Sequence, residues 1–228
     1  MGRIRMKNIK KQALITGASR GIGYGVANCF LEQGLHVYGT ATTHGACDIH
    51  DSNFEPIILD FLKPESIDNA ILLLKGKPIH FLINNAAVLL EPWDDSSVNM
   101  KDLRLSFEVN LFGLIDFTER ILPFIQPYGH IINVSSSWGA FNDSVTQFQQ
   151  HYKLTKASLN MYTKILSDRL KDQHITVSSI NPGWVKTDMG GSSAPKSVKQ
   201  AASDIFNLAT AETIPSGCFW ENGKIRSW

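Results

Sequence analysis

The chain has 228 residues, of which 43% are hydrophobic, and its 22 Lys and Arg residues are balanced by 21 Asp and Glu residues. This length and apolar content predict one large α/β domain with a full core. The balanced charge gives no electrostatic reason to expect nucleic acid or an anionic membrane as a partner.

The cysteines and the N-terminus bear on location. Cys29, Cys47 and Cys218 are odd in number and far apart, which argues against a disulfide framework and against a zinc site, so no metal is expected. A reducing cytoplasm fits this pattern best. Residues 1–11 form a basic leader without the apolar region of a secretory signal, and no apolar run is long enough to cross a bilayer. Residues 12–228 are therefore expected to form a single domain.

The first predicted strand, residues 13–16, leads into the loop TGASRGIG and then into an amphipathic helix. Gly17, Gly21 and Gly23 let the backbone turn sharply and leave no Cβ between the helix N-terminus and a bound pyrophosphate. The alternative is a glycine-rich turn without a ligand. The position between a strand and a helix favours the dinucleotide site.

Strand and helix patterns then alternate to the end of the chain. Further strands are predicted at 35–40, 56–59, 79–83, 130–135, 175–180 and 217–220, and helices at 64–74, 100–124, 152–171 and 198–209. This spacing predicts an α/β fold with a single doubly wound, mostly parallel, Rossmann-type sheet of about seven strands and helices on both faces.

Polar residues follow two of these strands. Asn84 and Asn85 follow the fourth strand, and Ser135, Ser136 and Ser137 follow the fifth. Parallel sheets bind ligands at the carboxyl ends of their strands. The amides can instead tie strand ends together, and any of the serines can simply form a turn.

The stretch YKLTK places Tyr152 and Lys156 four residues apart. On a helix they project from nearly the same side, about 40° apart. A lysine cation near a phenol lowers its pKa and makes it a general acid. The alternative is two solvated side chains that share no function.

The loop TGASRGIG, the sequence NNA after the fourth strand, and a strand-exit serine followed by YxxxK resemble the short-chain dehydrogenase/reductase family from Lys11 onward. The segments NPGWVKTDMGG and GCFWENGKIRSW resemble its small carbonyl-reductase and C-factor branch. The resemblance implies a Rossmann-type sheet that binds NAD or NADP, and a catalytic tetrad of Asn110, Ser136, Tyr152 and Lys156. Ser136 is chosen because Gly139 follows it by three residues. An amide inside an apolar helix is otherwise a satisfied core residue, and that interpretation of Asn110 stays open.

In the implied reaction Tyr152 protonates the carbonyl oxygen and Ser136 donates a hydrogen bond to it. Lys156 holds the cofactor ribose, and Asn110 positions a water. The implied cofactor-binding residues are Gly17, Ser19, Arg20, Gly21, Ile22, Gly23, Thr40, Asp60, Asn85, Ala86, Tyr152, Lys156, Pro182, Gly183, Val185 and Thr187.

Two departures from the family pattern stand out. Ala87 occupies a position where the family has glycine. Ser136 and Tyr152 are sixteen residues apart, which is longer than the common family spacing, so residues 141–151 are expected to bulge beside the substrate.

The second strand ends at Thr40, and no acid follows until Asp48. An NAD-preferring site would place an acid there to hold the ribose 2′-hydroxyl. Arg20 can instead hold a 2′-phosphate, unless it is merely a solvated loop charge. The prediction is an NADP(H)-dependent enzyme that reduces a small-molecule carbonyl or oxidises the alcohol. The alternative is a non-catalytic dinucleotide-binding sensor or signalling protein of the same fold.

Two expectations concern motion and assembly. The Gly- and Ser-rich loop 189–196 has little to pack with and is expected to act as a mobile lid. The helix at 152–171 carries two apolar stripes, which implies two packing partners. Leu159, Tyr162 and Leu166 are predicted to form the contact face of a homodimer or homotetramer, with packing against another helix of the same chain as the alternative.

Overall fold

The computed structural model describes residues 11–143 and 145–228; apart from Lys11, the predicted basic leader lies outside them. All eight strands of these ranges belong to one sheet. The strands are β1 (Gln12–Ile15), β2 (His36–Ala41), β3 (Phe54–Ile58), β4 (Ile79–Asn84), β5 (Ile125–Val134), β6 (Thr176–Asn181), β7 (Cys218–Glu221) and β8 (Lys224–Arg226). The α-helices are α1 (Gly21–Glu32), α2 (Pro64–Leu74), α3 (Met100–Phe107), α4 (Gly113–Ile121), α5 (Gln150–Leu170) and α6 (Val198–Thr210).

The sheet has the strand order β3-β2-β1-β4-β5-β6-β7-β8, and only the β7–β8 pair is antiparallel. The predicted mostly parallel Rossmann-type fold is confirmed. The eighth strand was not predicted, because its three residues, KIR, are too few to show a hydrophobic alternation. It forms an antiparallel hairpin at the edge of the sheet.

Helices cover both faces of the sheet. On one face Leu14 of β1 packs in a core with residues of α2, α4 and α5. On the other face Ala13 and Ile15 pack with α1 and α6, including Phe30 and Ile205. Successive residues of β1 thus enter different cores, which is why this strand reads as a continuous apolar run.

The predicted helix 100–124 is not continuous. α3 ends at Phe107, a π-helical turn spans Glu108–Phe112, α4 follows, and a 3₁₀ turn spans Leu122–Phe124. Asn110 lies inside the π-helical turn, in line with the interruption that the sequence shows at this residue. Such turns are frequent at functional sites.

A buried polar network ties the two central strands together. Asn84 lies opposite Asn133, and the Asn84 Nδ2 donates to Asn133 Oδ1 at 2.9 Å and to Thr118 Oγ1 at 3.0 Å. The Asn133 Nδ2 donates to Thr163 Oγ1 at 2.9 Å. The network joins β4 and β5 to α4 and α5, so Asn84 ties strand ends, as the structural interpretation of this amide held.

The predicted subunit-contact face of α5 is wrong. Leu159, Tyr162 and Leu166 are almost completely buried and belong to the core against the sheet. The opposite stripe is exposed instead: Met161 and Ile165 are 58% and 51% accessible. The helical period reveals two stripes but not which one faces the sheet. Among the described helices, none is long and apolar enough to cross a membrane.

Candidate active site

The glycine loop after β1 is held by close backbone packing. Gly17 and Gly21 have φ angles of 69° and 56°, which only glycine adopts readily. A Cβ on Gly23 would lie 2.2 Å from the Gly17 oxygen and 2.5 Å from the Asn85 Nδ2. The first turn of α1 therefore rests directly on the loop, and its free N–H groups face the carboxyl edge of the sheet.

Thr16 organises this loop and was not selected from the sequence. Its Oγ1 accepts hydrogen bonds from the backbone N–H of Asn85 at 2.9 Å and of Ala86 at 3.0 Å. The Asn85 Nδ2 returns a bond to the Thr16 oxygen at 3.0 Å, and the Gly17 N–H donates to Thr40 Oγ1 at 3.1 Å. Asn85, Ala86 and Thr40 thus shape the loop. Thr16 could have been selected from the sequence, because it places a hydroxyl at the end of β1 and the NNA sequence lies at the end of β4, which pairs with β1.

Tyr152 and Lys156 lie in the first two turns of α5. The Lys156 Nζ is 5.3 Å from the centre of the Tyr152 ring and donates to the Val134 oxygen at 2.7 Å. Burial raises the pKa of the Tyr152 phenol and lowers the pKa of Lys156 to about 7. The net pKa of the Tyr152 phenol is thus raised, not lowered as the sequence led us to expect, because burial disfavours the phenolate and also the charge of the neighbouring lysine.

The three serines after β5 differ in their contacts. The Ser136 Oγ accepts the N–H of Trp138 at 3.1 Å, which leaves its own hydroxyl proton available to a ligand. The Ser135 hydroxyl is buried and donates to the Lys156 oxygen at 3.4 Å. Ser136 is thus better placed than Ser135 to contact a substrate.

Ser136 and Tyr152 line one cavity of about 330 Å³ at the carboxyl edge of the sheet. The predicted cofactor-binding residues Ile22, Pro182, Gly183, Val185 and Thr187 line the same cavity. The structure thus brings together residues from the first turn of α1, from the loops after β5 and β6 and from the start of α5.

Aromatic side chains that the sequence analysis did not select form a wall of this cavity. The Trp138 ring lies edge-on to Trp93, with centroids 5.8 Å apart, and edge-on to Tyr152, at 6.1 Å. Trp184 and Met189 contribute from the loop after β6. Among the described residues that line the cavity, none carries a charge. Two of these residues could have been selected from the sequence, because a tryptophan follows two of the predicted strands: one lies two residues after Ser136 and the other directly after Gly183.

Asn110 lies outside this cavity and is fully buried. Its Oδ1 accepts the Val88 N–H at 2.7 Å, and its Nδ2 donates to the Val88 oxygen at 2.8 Å and to Thr155 Oγ1 at 3.3 Å. Asn110 is therefore a hydrogen-bonded core amide, which is the interpretation that the sequence left open, and its bonds to Val88 hold the loop after β4. The water-positioning role stays a prediction.

Arg20, at the start of α1, reaches the loop after β6. Its Nη1 lies 3.0 Å from the Asp188 Oδ2, and both side chains are more than three-quarters exposed. Ser19 precedes it in the turn. Asp60 accepts the Leu62 N–H at 3.1 Å and lines a second cavity of about 380 Å³ beyond the ends of β2 and β3.

The loop 189–196 has more contacts than expected. The Gly190 N–H donates to Thr187 Oγ1 at 3.0 Å, and the Gly190 oxygen accepts the Trp184 indole N–H at 2.7 Å. Lys196 pairs with Val185 through the backbone, and Ala194 is fully buried. The loop is therefore anchored at Gly190, Ala194 and Lys196, whereas residues 191–193 are exposed, and its mobility stays a prediction.

The long connection between Ser136 and Tyr152 protrudes, with Phe141 and Val145 84% and 75% exposed. Its middle is held by β8, because Arg226 lies 2.6 Å from the Asp143 carboxylate and 2.7 Å from the Glu221 carboxylate. In the described ranges no three His, Cys, Asp or Glu side chains cluster as metal ligands would.

The family model for short chain dehydrogenases matches residues 11–197. The chain belongs to the short-chain dehydrogenase family. Among curated members it is 30% identical over 227 residues to the 3-oxoacyl-(acyl-carrier-protein) reductase FabG of Vibrio cholerae, with 95% of this chain and 87% of FabG aligned. The chain is thus an oxidoreductase of this family.

Solved short-chain dehydrogenases share the whole fold. The carbonyl reductase Sniffer of D. melanogaster matches with a TM-score of 0.86 and 26% identity, over 96% of this chain and 99% of Sniffer. The NADPH-bound carbonyl reductase from chicken fatty liver matches with a TM-score of 0.84 and 26% identity, over the same shares. These neighbours support the resemblance to the carbonyl-reductase branch.

Proposed function

We propose that this short-chain dehydrogenase is an NADPH-dependent enzyme that reduces the carbonyl group of a small, uncharged, apolar molecule to an alcohol, or catalyses the reverse reaction. Residues 12–228 would act as one dinucleotide-binding and catalytic domain. The observation that carries the proposal is the single cavity lined by Tyr152 and Ser136, with Lys156 against the Tyr152 ring.

The glycine loop fits a dinucleotide. The start of α1 and the loops tied by Thr16 leave backbone N–H groups and little side-chain bulk where a pyrophosphate would bind. NADPH is favoured over NADH because no carboxylate follows Thr40 before Asp48 and because Arg20 is exposed at the edge of this loop. The NADPH-bound chicken carbonyl reductase has the same fold.

The bound nicotinamide would supply the hydride for the carbonyl carbon. Burial keeps the Tyr152 phenol protonated at neutral pH, which is the form that a reduction needs in its acid. The Ser136 hydroxyl, whose oxygen accepts the Trp138 N–H, would donate a hydrogen bond to the oxygen on which negative charge develops. Burial lowers the pKa of Lys156 to about 7, and in its charged form this lysine would stabilise the phenolate after proton transfer.

The cavity lining favours one class of substrate. Leu89, Trp93, Trp138 and Met189 present apolar surface, and none of the described residues that line the cavity carries a charge. A carboxylate or phosphate would lose its hydration there without gaining a cation as partner. FabG is named for an acyl-carrier-protein substrate, whereas this cavity suits a small carbonyl compound with an aromatic or aliphatic substituent.

A substrate panel tests the proposal. NADPH oxidation would be followed with an uncharged aryl ketone or aldehyde, a 2-oxo acid of similar size, and an acetoacetyl thioester. We expect the highest kcat/KM for the uncharged carbonyl, by about tenfold or more over the oxo acid. A preference for the thioester would contradict the proposed substrate class. NADPH binding without turnover of any compound would instead favour the non-catalytic sensor.

We also propose that the protein is a cytoplasmic homodimer. The cysteines of the described part are unpaired, which suits a reducing compartment. Leu154, Met161 and Ile165 form a stripe about half exposed along α5, and a two-fold pair of such helices would bury it.

Met161→Glu is expected to convert the dimer to a monomer, since a carboxylate buried at the centre of this stripe would lack a partner. Sedimentation at micromolar concentration measures the mass of both proteins. Leu72→Glu, the same kind of change at an exposed position of α2, serves as the control. A monomeric wild type would contradict the proposal.

A further inference from the structure

The helix that carries Tyr152 is capped by a residue from a distant loop. Gln149, which precedes α5, has a left-handed backbone with φ of 50°, and its side chain caps no helical N–H. Instead the Glu91 Oε1 accepts the N–H of His151 at 2.5 Å and of Tyr152 at 3.3 Å. A carboxylate at this end of a helix also interacts favourably with the helix dipole.

This carboxylate is unusually buried. The Glu91 and His151 side chains are 5% and 1% exposed, and the Glu91 Oε1 lies 3.5 Å from the His151 Nδ1. The Glu91 Oε2 and both ring nitrogens of His151 have no hydrogen-bond partner in the part of the chain that the structure describes. Burying such groups opposes folding, so the pair indicates a role other than stability.

Further hydrogen bonds attach the loop 91–96 to the start of α5. The Gln149 Nε2 donates to the Trp93 oxygen at 2.9 Å and to the Pro92 oxygen at 3.3 Å. The Gln150 Nε2 donates to the Ser96 oxygen at 2.5 Å. Residues 91–96 continue from the NNA segment that Thr16 ties to the glycine loop. The glycine loop after β1 and the start of α5 are therefore connected through this short segment of the chain.

The chain segment that connects Ser136 to Tyr152 is long. Sixteen residues separate Ser136 from Tyr152, and that connection bulges outward, held at its middle by Arg226. The direct contacts between the turn after β5 and α5 lie further along the helix, where the Asn160 Nδ2 donates to the Gly139 oxygen at 3.0 Å and the Ser135 hydroxyl donates to the Lys156 oxygen at 3.4 Å. Glu91 instead holds the first turn of the helix, which carries Tyr152.

We propose that Glu91 is a positioning residue for the catalytic reaction: its carboxylate holds the first turn of α5 and thereby the Tyr152 phenol relative to Ser136. The inference rests on the proposed carbonyl reduction. The role belongs to the acceptor oxygen, because two backbone N–H groups bind it. Misplacement of an acid by about 1 Å costs up to roughly a hundredfold in rate.

Three variants test this role. Glu91→Ala is expected to lower kcat by about ten- to a hundredfold, with the KM for NADPH changed by no more than about twofold. Glu91→Gln keeps an acceptor oxygen and should restore kcat to within about threefold of wild type. Asn99→Ala is the matched control, since Asn99 Oδ1 accepts two N–H groups at the start of α3. It should leave kcat unchanged.

Hydrogen exchange gives a readout that needs no substrate. In Glu91→Ala the amides of His151 and Tyr152 should exchange faster than in wild type, while those of Lys101 and Asp102 should not change. Wild-type kcat in Glu91→Ala, equal losses in Asn99→Ala, no rescue by Glu91→Gln, or unchanged exchange would each overturn the proposal. A wild type that turns over no carbonyl would defeat the proposed function instead, and the exchange measurement would still decide whether Glu91 anchors the helix.

Discussion

Tyr152→Phe should lower kcat for carbonyl reduction by a factor on the order of 10² to 10⁴, because it removes the proton donor and leaves the ring in place. The ring packs edge-on against Trp138 and lies under the Lys156 ammonium, and phenylalanine keeps both contacts. NADPH affinity and the melting temperature should therefore stay close to those of wild type. Steady-state kinetics with the best substrate of the panel measure the effect.

Tyr162→Phe on the same helix is the matched control. Its hydroxyl donates to the Glu119 Oε1 at 2.9 Å, away from the cavity. Loss of this bond to a charged group should destabilise the fold by about 1.5 to 3 kcal/mol without changing kcat. If Tyr152→Phe kept more than about a tenth of the wild-type kcat, the assignment of Tyr152 as the acid would be refuted.

Arg20→Ala should reduce the preference for NADPH over NADH by roughly ten- to more than a hundredfold, since a hydrogen bond to a charged group contributes about 1.5 to 3 kcal/mol. In the structure the Arg20 guanidinium pairs with Asp188, but both side chains are largely exposed. Exposed pairs contribute only about 1 kcal/mol or less. A 2′-phosphate, with its larger charge, can therefore displace Asp188 as the partner of Arg20.

Asp188→Asn separates the two roles of Arg20. This change removes the ion pair and keeps the arginine, so the preference for NADPH should persist or increase. The values of kcat/KM for both cofactors in wild type and the two variants decide the matter. A wild-type preference for NADH, or a preference for NADPH that survives Arg20→Ala, would contradict the role of Arg20.

Much of the fold and of the candidate site could be predicted because the decisive patterns are local. The glycine loop, NNA and YKLTK each lie within a few residues, and their order along the chain sets their places at the carboxyl edge of a parallel sheet. The structure indeed brings Tyr152 and Ser136 to one cavity.

The features that escaped prediction depend on contacts between distant residues. Glu91 contacts α5 about sixty positions later in the chain, and no spacing rule connects them. The direction of the Tyr152 pKa shift depends on burial, which the sequence does not reveal. The orientation of α5 depends on which of two similar stripes fits the sheet, so Leu159 and Leu166 were assigned to the wrong face.

The amide network between Asn84 and Asn133 has a consequence for how the chain folds. β4 and β5 are apolar on both faces where they pair, so hydrophobic alternation discriminates weakly between alignments of these strands. A slip by one residue would place Asn84 beside Ile132 or Val134 and leave buried amides unpaired, at about 1 to 3 kcal/mol for each. A misaligned pairing of β4 and β5 is thereby disfavoured, and the observed alignment brings NNA and the serines to the same edge of the sheet.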